Sequence, residues 1–189
     1  MGSNIILTGF MGCGKSSVGV RLSYRLRRTV EDTDKRIERQ AQMTVSEIFE
    51  RLGEEEFRRM ETQCLEQLKE EQQEQIISTG GGLPLRKRNR ELLKELGTVI
   101  YLRVTPRTVC VRLAYDTTRP LLQGENPEEK ISRLMQERAG VYESTADLIV
   151  DVDDRNYEEI LDEILEKLDG IKAPDRTERL EEDNETAGN

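Results

Sequence analysis

Long apolar runs are missing from this sequence of 189 residues; no stretch approaches the roughly 20 residues that a membrane-crossing helix requires. A helical membrane protein, or a membrane partner, is not expected. Cysteine is scarce too. The three thiols, Cys13, Cys64 and Cys110, are odd in number and widely spaced, which fits neither a disulfide framework nor a zinc site. A reducing cytoplasm is the expected compartment. Basic residues are outnumbered, 29 against 38 acidic ones, for a formal net charge of −9. That balance offers no broad basic face for a phosphate backbone, so nucleic acid is not an expected partner. The strand-like run beginning at Asn4 leaves no room for a signal peptide after Met1.

What remains is a chain that is 35% hydrophobic and 35% charged, large enough to bury one core without disulfides or metals. Short β-branched runs alternate with helical periodicity. Strands are expected at Asn4–Thr8, weakly at Thr29–Glu31, then at Gln75–Thr79, Thr98–Val104 and Asp147–Val152. Between them lie helical stretches, the longest from Lys35 to about Glu74 and the last ending near Leu168. This alternation implies crossover connections, hence an α/β fold of three layers with a mainly parallel, five-stranded sheet. One domain is expected over residues 1–170, with substrate-binding helices at about 34–74 and a mobile lid at about 114–127. The polar, mostly acidic residues 171–189 are expected to be a disordered tail. Ligands of such sheets bind beyond the carboxyl ends of the strands.

Gly9-Phe10-Met11-Gly12-Cys13-Gly14-Lys15-Ser16 follows the first strand and opens a helix. This is the G-x-x-x-x-G-K-[ST] phosphate loop. Its glycines let the backbone turn successive N–H groups toward phosphate oxygens, and the helix beginning near Lys15 adds its positive end. A nucleoside triphosphate is expected against Gly12, Cys13, Gly14, Lys15, Ser16 and Ser17. Lys15 serves the β- and γ-phosphates, and the Ser16 hydroxyl serves Mg²⁺. Motor and switch ATPases place a metal-binding acid at the end of a buried apolar strand. Here Ile76–Thr79 and Val99–Leu102 end without one, and the nearest candidates are Asp32 and Asp34 after the weak second strand. That placement points to small-molecule kinases.

Singly, the other polar residues have bland readings. Asp34 has the look of a cap for a helix starting at Lys35. Arg58 and Glu61 have the spacing of a surface i,i+3 pair, and Arg119 and Arg138 are of the kind usually left in solvent. Their order and spacing carry more. The chain has Asp32-Thr33-Asp34 followed by Ile37-Glu38, then Ile48-Phe49, Gly53-Glu54 and Phe57-Arg58-Arg59-Met60-Glu61. Ser78-Thr79-Gly80-Gly81-Gly82, Arg119-Pro120-Leu121-Leu122, and Arg138 to Tyr142 with Ala146-Asp147 complete the set. Together with the phosphate loop, from Ile5 to about Val150, this combination resembles the shikimate kinase family. Three positions depart from the family's pattern. Gln42 stands where a glycine is usual, Arg138-Ala139-Gly140-Val141-Tyr142 replaces Arg-x-Pro-Leu-Tyr, and Arg28-Thr29-Val30-Glu31 lacks an aromatic.

The resemblance implies an enzyme that phosphorylates shikimate with Mg²⁺ and ATP; a monomer is expected. It assigns Asp34 to the substrate hydroxyls and the departing proton, and Asp32 to the metal. Arg58, Arg138 and the backbone at Gly80, Gly81 and Gly82 are implied to hold the substrate carboxylate. It puts Arg119 on the lid against the transferring phosphate, and Arg112 against the adenine. The chemistry asks for such groups in any case: charge neutralisation for the phosphoryl group, a carboxylate near the attacking alcohol, and guanidinium for a carboxylate ligand. The alternatives at this point are a kinase of another small hydroxy acid such as gluconate, a nucleoside monophosphate kinase, or an inactive nucleotide-binding relative.

Overall fold

The computed structural model describes residues 4–71, 73–114 and 126–172. Most of the expected lid, with Arg119, and the tail from residue 173 lie outside the described residues. The chain divides into two compact units, Met1–Asp154 and Arg155–Asn189, a boundary ahead of the expected domain end near residue 170.

The first unit holds strands β1 (Asn4–Thr8), β2 (Thr29–Asp32), β3 (Gln75–Ser78), β4 (Gly97–Arg103) and β5 (Leu148–Asp151). They form one sheet in the order β2-β3-β1-β4-β5, with every neighbouring pair parallel. The weak second strand is real. Its sequence is poor in apolar residues because it is a half-exposed edge, and pairing of Thr29–Asp32 with Gln75–Ser78 defines it. Central β1 is buried throughout, as expected for a parallel strand covered on both faces. Ile6, Ile77 and Val99 enter a core with Ile37, Ile48, Phe57, Leu65 and Leu92. Their neighbours Leu7 and Ile76 point to the opposite face and meet helix α1 (Lys15–Leu26) at Gly19.

The expected long helical stretch is three helices, α2 (Thr33–Ala41), α3 (Val45–Leu52) and α4 (Glu54–Glu70). Each break has a local cause. Gln42, at φ 53°, ends α2 in the left-handed conformation where its family pattern has glycine. Thr44 and Glu47 then form a reciprocal capping box that starts α3. Gly53 ends α3, and the acidic run Glu54, Glu55, Glu56 complements the positive end of α4. A 3₁₀ turn (Leu83–Leu85) precedes α5 (Lys87–Leu96), and α6 (Pro106–Leu113) starts on a Thr105 cap with Pro106 at its first position. Helix α7 (Pro127–Thr145) takes in residue 127 of the expected lid. Asp147 pins the entry to β5: its carboxylate accepts from Val99 N (2.8 Å), and its own N–H donates to Val99 O (2.8 Å).

The second unit contains helix α8 (Tyr157–Lys172), opened by reciprocal bonds between Asn156 and Glu159. The expectation that the tail begins at 171 is corrected. Ile171 continues the apolar stripe of Ile160, Ile164 and Leu168, so the helix runs through Gly170 to Lys172.

Sheet register positions the site. Thr8 lies beside Tyr101, Leu7 beside Ser78, and Asp32 beside Ser78. Three adjacent strands therefore release the phosphate loop, the triple glycine and the Asp32–Asp34 segment at the same edge of the sheet.

Candidate active site

The phosphate loop leaves β1 and returns into α1 through Gly14, whose φ of 101° suits glycine alone without strain. The amides at the start of α1 are left without intrahelical partners, as at any helix N-terminus. Lys15 folds back over the loop, its Nζ donating to Gly9 O (2.8 Å) and Phe10 O (3.0 Å) and lying 3.7 Å from Cys13 Sγ. Cys13 is 1% exposed, so it contributes backbone to the cradle while its thiol faces inward. Arg112, from the last turn of α6, donates to Gly12 O (3.1 Å), Cys13 O (3.2 Å) and Val152 O (3.4 Å). It ties the phosphate loop to the segment after β5.

Asp32 caps α2, a role first read for Asp34. Its Oδ1 accepts from Asp34 N (3.1 Å) and Lys35 N (3.2 Å), while Oδ2 accepts from the Ser16 hydroxyl at 3.1 Å. The two candidate metal-binding side chains are thus in contact. Because the cap sits two residues earlier, the Asp34 side chain is not needed for capping. It enters a cavity of about 560 Å³ including its mouth. Thr33, fully buried, accepts from Gly80 N (2.9 Å) and so joins α2 to the triple glycine.

The cavity brings together Asp34, Arg58, Gly80, Gly81, Gly82 and Arg138, six residues picked out from sequence. Arg58 and Glu61 are an i,i+3 pair, as their spacing suggested, but not a surface one: they are 7% and 0% exposed. Arg58 Nη1 donates to Glu61 Oε2 (2.9 Å) and Nη2 to Glu54 Oε1 (2.8 Å). Burial pulls the guanidinium down, yet the two carboxylates outweigh it and hold it above its ordinary value. A Cβ on Gly82 would lie 2.7 Å from Arg58 Cζ. Only glycine lets the guanidinium lie against the turn. Arg138, 8% exposed, packs over the Phe10 ring with its Cζ 5.8 Å from the centroid. Among the described residues no carboxylate forms an ion pair with it.

Glu61 was legible only as part of a motif, and its weight in the site comes from the fold. Burial pushes its carboxyl up to about 7, with Arg58 opposing and the charge of Asp34 adding to the rise. Val45, Phe49, Phe57 and Met11 form the apolar wall. The Phe49 and Phe57 rings pack 5.0 Å apart; their spacing on α3 and α4 reads as ordinary core. Ser17 sits in the first turn of α1, and Arg119 lies outside the described residues.

The sequence pattern of the shikimate kinase family matches residues 11–169. The chain belongs to that family. A shikimate kinase of Thioalkalivibrio sulfidiphilus is 43% identical over 162 residues, 86% of this chain and 85% of the relative. One from Thermodesulfovibrio yellowstonii is 40% identical over 89% of this chain and 96% of its own. Among solved structures, shikimate kinase from Acinetobacter baumannii in complex with shikimate superposes with a TM-score of 0.86 at 36% identity, covering 92% of this chain and 96% of that one. The family's five-stranded parallel sheet is the one described above. Among the described residues no helix is long and apolar enough to cross a membrane, and no group of three or more His, Cys, Asp or Glu is placed to hold a metal by itself.

Proposed function

We propose that this chain is a shikimate kinase, transferring the γ-phosphoryl group of ATP to the 3-hydroxyl of shikimate to give shikimate 3-phosphate and ADP in aromatic amino acid biosynthesis. The observation that carries the substrate assignment is Arg138. A buried guanidinium is strongly disfavoured without an anionic partner, and Arg138 has no carboxylate among the described residues while facing the same cavity as Arg58. An acid substrate supplies the missing charge. Planar guanidinium groups suit its carboxylate, and the apolar wall of Val45, Phe49 and Phe57 suits a carbon ring.

In this reading the amides from Gly12 to Ser17 and the Lys15 ammonium take the triphosphate, with Arg112 assigned to the adenine and Arg119 to the transferring phosphate. Asp34 orients the 3-hydroxyl and accepts its proton as the oxygen bonds to the γ-phosphorus and the bond to the ADP oxygen breaks. Ser16 and Asp32, two hard oxygen donors already in contact, fit a Mg²⁺ that keeps most of its ligands as water and phosphate. When bound, the ion neutralises charge on the β- and γ-phosphates. The three free thiols suit a cytoplasmic enzyme, which we read as a monomer.

Steady-state ADP release measured with shikimate, gluconate and AMP side by side tests the proposal. Turnover with shikimate alone is expected. Faster turnover with gluconate or AMP overturns it, and the absence of turnover with all three favours an inactive relative.

A further inference from the structure

Tyr142 lies behind the cavity, 1% exposed and one helical turn beyond Arg138 on the same face of α7. Its hydroxyl donates to Gly81 O at 2.6 Å and also stands within hydrogen-bond reach of the Arg138 side chain. Its ring stacks on Tyr101 of β4, with centroids 5.2 Å apart and planes inclined by 27°, so the hydroxyl cannot swing away without disturbing the centre of the sheet. Burial pushes the phenol's titration far above its ordinary range, against the pull of Arg138, and the group stays a donor wherever the enzyme works.

The oxygen that Tyr142 holds belongs to the Gly81–Gly82 peptide. In a planar trans peptide the N–H points opposite to the C=O. Fixing Gly81 O toward Tyr142 therefore aims the Gly82 N–H away from it. Gly81 and Gly82 both line the cavity, which an N–H turned from Tyr142 can reach. Among the described residues no protein acceptor takes the Gly82 N–H. The Arg58 guanidinium lies against the same glycine.

We infer that Tyr142 is a positioning residue for the substrate carboxylate: by holding Gly81 O, its hydroxyl turns the Gly82 N–H into the cavity as a third donor beside Arg58 and Arg138. This rests on the shikimate kinase reading. The tyrosine touches no substrate atom and acts through the peptide it orients. Without the hydroxyl, nothing described fixes that peptide plane, and the turn of three glycines is free to flip it.

Tyr142→Phe keeps the ring stack and removes only the hydroxyl. The expected result is a KM for shikimate raised about tenfold, the scale of one lost hydrogen bond to a charged group, with kcat and the KM for ATP unchanged. A shikimate analogue lacking the carboxylate is expected to bind wild type and variant equally. A KM for shikimate equal to that of wild type overturns the inference, as does an equal rise for acid and analogue, which is the mark of a purely structural tyrosine. A second arm separates the peptide from Arg138, which the hydroxyl also reaches. In ¹H–¹⁵N spectra at saturating shikimate the Gly82 amide proton is expected to move downfield in wild type, to stay in place with the analogue, and to move less in Tyr142→Phe; an amide unmoved in wild type, or moved equally in the variant, overturns the inference. Wild type that fails to phosphorylate shikimate sinks the functional reading itself, whereas an active wild type with an unaltered variant counts against Tyr142 only.

Discussion

Replacing Glu61 with glutamine should change how stability depends on pH, and the change can be worked out from the site. Glu61 is fully buried against Arg58, and burial raises its carboxyl from 4.5 to about 7. In the unfolded chain the proton leaves near 4.5; in the folded chain it stays until about 7. Between these values the folded state binds more protons, so rising pH favours unfolding. The stability that this group contributes is fully present below 4.5 and is lost as pH rises through about 7. At 1.36 kcal/mol for each pH unit separating the two values, the full loss is about 3 kcal/mol. Glutamine keeps the shape and an oxygen that can accept from Arg58, but it does not titrate. Urea unfolding of wild type and Glu61→Gln at pH 4.5, 6 and 8 measures the difference. Relative to the variant, wild type should lose about 3 kcal/mol between the lowest and highest pH. A difference between the two proteins that stays constant with pH refutes the reasoning, because it means that Glu61 ionises at the same pH folded and unfolded.

Three further outcomes follow from the geometry. Asp34→Asn should lower kcat by about 10²–10⁴, the usual contribution of a positioned base, while leaving equilibrium ATP binding intact; unchanged turnover would assign the proton to another group. Gln42→Gly should raise stability in urea by about 1 kcal/mol, because it relieves the left-handed strain at the end of α2, with kinetics unaltered. Ser16→Ala should raise the Mg²⁺ concentration needed for half-maximal turnover, and no such rise would count against Ser16 and Asp32 as the metal-facing pair.

Much of this was written in local sequence. The phosphate loop is a contiguous pattern with a mechanical reason at each position, and β1, β3 and β4 stand out because strands buried on both faces are almost purely apolar. The rest depends on what the chain brings together. Strand β2 carries little apolar signal, and its partner β3 lies more than forty residues further on. Asp32 and Asp34 are two residues apart, and only the observed start of α2 at Thr33 decides which of them caps it. Glu61 reads as a surface partner of Arg58 until packing removes both from water. Tyr142 lies sixty-one residues from the carbonyl that it holds, beyond any periodicity argument.

The central claim is that Arg58 and Arg138 hold the carboxylate of the acid substrate. Removing the Arg58 guanidinium and comparing shikimate with the analogue that lacks a carboxylate tests it most directly. Truncating one partner of a buried charge pair costs about 2–5 kcal/mol, so Arg58→Ala should weaken shikimate binding by at least about tenfold. ATP affinity should hold, and the analogue, already poor with wild type, should lose little more. Equal weakening of acid and analogue would show that Arg58 only supports the fold of α4, and the assignment of a carboxylate substrate would fail with it.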